Sequence, residues 1–141
     1  MHTETVRTTE APAGVLAMVV AANGRIDKRE LQVLDELDAF RRIGVNRDRF
    51  VELAQVCLKD IGSSLCEKSW LRATDVLYLD RLLDDVLDPD QRLLICRLAA
   101  AVITADGRVT PDEQMVYHHA LARWHVSQSM VSQAILNDRA H

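Results

Sequence analysis

The chain has 141 residues, of which 48% are hydrophobic, 27% charged and 4% aromatic, and its net charge is −4. A chain of this length suits one domain and buries roughly 68% of its unfolded surface, enough for a core without disulfide or metal staples. The acidic balance argues against a general attraction to nucleic acid, and so few aromatics require an aliphatic core.

Residues 1–10 are polar and Thr-rich and read as a loose tail; residues 11–141 read as a single helical domain. From Pro12 to Ala22 the chain is almost wholly apolar and runs into Asn23-Gly24, the pattern of a buried helix closed by a left-handed residue. A second helix is expected from Asp27, a good N-cap with Glu30 three residues on, through Val33, Leu34, Leu37 and Phe40 to Arg41, Arg42 and Gly44. Asn46 can cap a third, about 47–61, with Phe50, Leu53, Ala54, Cys57, Leu58 and Ile61 inward. A fourth covers about 70–87, burying Leu71, Leu79, Leu82, Leu83 and Val86. Asp88-Pro89-Asp90-Gln91 is a strong restart, and the fifth helix, running to Ala105 with Arg97 the one charge between Leu93 and Ile103, is expected to be enclosed on most sides. Thr110-Pro111-Asp112-Glu113 opens a sixth with the stripe Met115, Tyr117, Leu121 and Trp124, and Ser127 caps a seventh to about Asp138. The expected architecture is all-α, a compact seven-helix bundle.

Leu16–Leu37 lies over Ala99–Ala120 at a constant offset, so that Asn23 meets Asp106, Gly24 meets Gly107, Arg25 meets Arg108, Ile26 meets Val109 and Glu30 meets Glu113. The match then slips by two residues, placing Val45-Asn46 over Val126-Ser127. A duplicated helical unit accounts for this, repeat one about 12–61 and repeat two about 89–138. Each half would leave an apolar face open, so two helix–turn–helix halves related by a pseudo-two-fold are expected to close one core.

The shared pattern is (Asp/Asn)-Gly-Arg-(Ile/Val)-x-x-x-Glu. It matches the second half of an EF-hand loop, but the positions that should carry the earlier carboxylates are Val102 and Thr104 in one copy and Val19 and Ala21 in the other, which excludes an orthodox EF-hand. The pattern also has a purely structural reading: the glycines end helices, and Glu30 and Glu113 sit where they can reach back to the N-cap.

The stretch Leu87–Trp124, with Ala105-Asp106-Gly107-Arg108-Val109 and Glu113 after an apolar helix, resembles the core of domains of the tellurite-resistance TerB family, and Asn23–Glu30 resembles that family's first repeat. The similarity spans about residues 12–137. It implies a seven-helix bundle linked to tellurite resistance and stress response, with acidic residues that hold a divalent metal ion. Carried over, the candidate ligands are Asp106 and Glu113, then Glu30 and Asn23; Asn23 replaces the family's usual Asp and removes one charge. An all-oxygen set implies calcium, magnesium or manganese rather than zinc.

Other clusters have simpler readings. His118, His119 and His125 lie on or just after the sixth helix, with Cys96 on the fifth, but adjacent histidines on a helix point about 100° apart, no HxxxH or HExxH occurs, and they are expected to face solvent rather than zinc. Arg41, Arg42, Arg47 and Arg49, and the run Asp75, Asp80, Asp84, Asp85, Asp88 and Asp90, read as solvated surfaces that could serve an unidentified protein partner. Cys57, Cys66 and Cys96 form no CxxC pair and are odd in number, which fits free thiols in a reducing compartment. The longest apolar run, Val15–Ala22, has eight residues and cannot span a bilayer, and Glu4 and Glu10 ahead of it spoil a signal-peptide n-region, so a cytoplasmic protein is expected. There is no GxSxG, P-loop or telling Cys–His spacing, so an enzyme is not expected; a metal-assisted hydrolase would further need an open coordination position and a cleft.

Overall fold

The computed structural model describes residues 10–22, 26–62, 73–105 and 111–139. Among them lie eight helices and no strand: α1 (Ala11–Ala21), α2 (Lys28–Glu36), α3 (Ala39–Arg42), α4 (Arg47–Gly62), α5 (Ala73–Asp85), α6 (Pro89–Thr104), α7 (Pro111–Trp124) and α8 (Gln128–Arg139). None of them is long and apolar enough to cross a membrane.

Helix α1 sits at the centre. Every side chain from Ala13 to Ala22 is buried, and the helix touches α4, α5, α6 and α7. Its sequence explains this, because a segment with no polar side chain gains nothing from any exposed face. Helix α6 is its partner: no residue from Gln91 to Ile103 is exposed, as expected from its single charge. Helix α4 packs on α1 and α8 packs on α6, while α2 packs on α6, α7 packs on both α6 and α1, and α3 packs on α2.

The expected second helix is two helices. Asp38 adopts a left-handed conformation, φ 57°, and separates α2 from α3, a conformation that Asp tolerates better than most residues. The break falls where the two halves of the sequence slip by two residues. Two extra residues would turn a continuous helix by about 200° and swing its apolar face into water, so the chain breaks instead and keeps Leu31, Leu34, Ala39 and Phe40 all buried. The stripe of α7 also needs correction. Met115 is 46% exposed and Val116 is the buried residue, with Tyr117, Ala120, Leu121 and Trp124; Met115 stands about 100° around the helix from Val116.

Most expected caps form. Asp27 accepts from the Arg29 N–H at 2.7 Å, Asn46 from Arg49 at 2.7 Å, Asp88 from Asp90 at 3.0 Å and Ser127 from Met130 at 3.1 Å. The ends of α3 and α7 share one further device. The Val45 N–H donates to Phe40 O and the Gly44 N–H to Arg41 O, as the Val126 N–H donates to Leu121 O and the His125 N–H to Ala122 O. Both are Schellman turns, and each needs a left-handed residue at its apex. The first has Gly44 at φ 78°; the second has His125 at φ 56°.

Ion pairs fasten the outer helices. Asp138 of α8 receives the Arg97 Nε at 2.6 Å and the Arg42 Nη2 at 3.3 Å, which joins α8 to α6 and α3. Glu10, assigned to the tail from sequence, is gripped by Arg49 of α4 at 2.8 and 2.9 Å.

Two predictions follow from these contacts. Gly44→Ala should lower stability by about 1 kcal/mol and His125→Gly raise it by about 1 kcal/mol in chemical denaturation, because only glycine holds a left-handed apex without strain. Burial by itself would raise the Asp138 carboxyl, but the bonds from Arg97 and Arg42 outweigh it and lower it below the usual carboxylate range. The folded value lies below the unfolded one. The stability gained is therefore present above about pH 4 and lost as pH falls through the folded value. Asp138→Asn should cost about 1–2 kcal/mol near neutral pH and much less in acid, read as two denaturation midpoints.

Candidate functional site

The two glutamates of the repeated pattern occupy equivalent places. Glu30 is the third residue of α2 and Glu113 the third residue of α7. Both are buried, 0% and 1% exposed, the only carboxylates so placed among the described residues. Their side chains engage other groups of the chain. A carboxylate withdrawn from water this far is kept only where its charge is compensated. Helix α2 lies on α6 and α7 lies on α1 and α6, so both glutamates come from helices seated on the inner pair. The other two candidates, Asn23 and Asp106, lie outside the described residues. So do Arg25 and Arg108.

The donor set fits a hard cation in kind, being oxygen throughout. Among the described residues no group of three histidines, cysteines or acidic side chains is poised around a metal. His118 and His125 are exposed, as expected, but His119 is half-buried against Asp80, with Nε2 to Oδ1 at 2.5 Å.

That contact belongs to an arrangement the sequence reading missed. Arg123 donates to Asp84 at 2.9 and 2.8 Å and lies 3.6 Å from Asp80. The pairs 80/119 and 84/123 advance by four residues on both helices, so α5 and α7 run parallel with their facing rungs charged. The Trp124 Nε1–H donates to Leu83 O at 2.8 Å on the buried side. Two of the six aspartates of the acidic run, Asp80 and Asp84, therefore form a clasp between helices, and Asp85, Asp88 and Asp90 remain exposed. The i, i+4 spacing of acids in α5 and of His119 and Arg123 in α7 was the available signal. The arginine group is equally committed: Arg41 pairs with Asp38, Arg42 with Asp138, Arg47 with Asp35 and Arg49 with Glu10 and Glu52.

A family model described as tellurite resistance protein TerB matches residues 9–135. The chain belongs to the TerB family. No curated protein and no solved structure gives a match. The TerB match takes in the whole inner pair and both buried glutamates, and it ends within α8, just short of Asp138.

In this TerB domain Cys57 and Cys96 are buried, and burial pushes the Cys96 thiol up to about 12; Cys66 lies outside the described residues. A thiol that stays protonated is a poor nucleophile and a poor metal ligand. With Cys66→Ser in place, a thiol reagent at mildly alkaline pH should label neither Cys57 nor Cys96 in the native protein and both after unfolding. Fast labelling of Cys96 in the native state would contradict its placement.

Proposed function

We propose that this TerB domain is a cytoplasmic, non-enzymatic stress-response module that binds a divalent cation through two duplicated turns. Asp106 and Glu113 supply one half of the site, and Glu30 with the neutral Asn23 the other. The ion is calcium, magnesium or manganese, since every candidate donor is oxygen. The observation that carries this reading is the burial of both glutamates at the same position of α2 and α7. The reading rests on that shared placement, on the all-oxygen donor set and on family membership.

The duplication is supported by the matching Schellman turns at Gly44 and His125 and by the matching Asn46 and Ser127 caps. When bound, the ion would tie two helix starts together and make the domain a scaffold whose rigidity depends on metal. A second reading, a metal-free docking domain, draws on Leu87, 77% exposed beside the exposed Asp85, Asp88 and Asp90. A hydrolase is the least favoured reading, because it would further need an open coordination position and a cleft.

Calorimetric titration with each of the three ions distinguishes the readings. Saturable binding is expected, abolished in Asp106→Ala and weakened by on the order of tenfold or more in Glu113→Gln and Glu30→Gln. Absence of heat and of any thermal shift with all three ions, in protein shown metal-free by elemental analysis, would end the metal reading and leave the docking one.

A further inference from the structure

We infer that α8 can leave its seat on α6 and dock on the same seat of a second copy of this chain, giving a domain-swapped dimer with His125 as its hinge.

The hinge is short and strained. Only residues 125–127 separate α7 from α8. At the apex stands His125, exposed, with φ 56°, where the equivalent turn after α3 has Gly44 at φ 78°. A side-chain-bearing residue is disfavoured there and indifferent or favoured in a right-handed helix. The strain vanishes if α7 and α8 join into one helix over residues 111–139, about 43 Å long. Short hinges under strain are the ones that exchange.

The seat is separable as well. Helix α8 contributes one wholly buried side chain, Val131; Ala134, Ile135 and Asp138 are half-buried and the rest of the described face is exposed. Its counterpart α4 buries Phe50, Leu53, Ala54 and Cys57. Polar contacts do much of the holding: Asp138 to Arg97 and Arg42, and the Tyr117 hydroxyl to Gln128 Oε1 at 2.9 Å. All of these re-form in trans with a second copy, because its α6, α3 and α7 offer the same groups. Vacating the seat without refilling it would leave Arg97, 7% exposed, without its carboxylate, which favours exchange over a lone open form. Opening gives up the Ser127 cap and the Val126 contact at the turn and gains continuous helical bonds, so the balance between closed and swapped forms turns on the hinge alone.

The test uses the full chain and two hinge variants that leave the seat intact. Each protein is held at graded concentrations near its unfolding midpoint temperature, cooled, and measured by size-exclusion chromatography with light scattering. The wild type should show a dimer that grows with concentration and reverts slowly on dilution. His125→Gly removes the strain of the closed turn and disfavours the long helix, so its dimerisation constant should fall by at least about tenfold. His125→Ala keeps the strain and favours the helix, so its constant should rise. A chain that stays monomeric throughout, in the wild type and in His125→Ala, overturns the inference. So does a dimer that responds equally to both substitutions.

Discussion

The bundle is organised by one constraint: α1 has no face that can meet water. Its eleven residues are all apolar, and burying them requires contact on every side. Four helices supply it, α4, α5, α6 and α7. Of these, α6 carries a single charge between Leu93 and Ile103 and is in turn covered by α2, α7 and α8. The order of layers thus follows from how little polar surface each helix carries, with the two least polar innermost. What lies outside is then free to carry charge, and the charges are spent on fastening: Glu10 to Arg49 at the start of α1, Asp138 to Arg97 and Arg42 at α8, Asp80 and Asp84 to His119 and Arg123 between α5 and α7.

The same constraint frames the candidate site. Helices α2 and α7 follow α1 and α6 in the chain, and the third residue of each is a glutamate that is buried rather than exposed. Two acidic groups held in an apolar frame at equivalent places are costly unless something balances them. The charged patches that looked available from sequence are, by contrast, largely self-neutralised: each of the four arginines between 41 and 49 faces a carboxylate of the chain itself. Electrostatics in this molecule act first within the fold.

The two stretches that align in sequence differ in structure. The first has two more residues and breaks at Asp38 between α2 and α3, whereas α7 is whole. A glycine follows α3 and a histidine in the same left-handed conformation follows α7. Phe50 and Val131 are both fully buried one turn after their caps, yet α4 is wedged deep against α1 while α8 lies on the outside of α6 with Asp138 where α4 has Cys57.

Sequence by itself determined the helical class, most helix starts and stops, the buried character of α1 and α6, and the pairing of Glu30 with Glu113. These depend on local chemistry: a cap, a proline, a period of apolar residues, each acting within a few residues along the chain. Tertiary structure alone decided that Asp38 separates α2 from α3, that Val116 and not Met115 faces inward, that the glutamates are enclosed, and that the arginines and two of the six aspartates of the acidic run are already partnered. Each of those depends on what stands opposite in space, often about forty or more residues away, and no local pattern carries that information. Asp138 is the clearest instance: an acidic residue near a chain end reads as solvated, and only the approach of Arg97 and Arg42 makes it the fastening of the last helix.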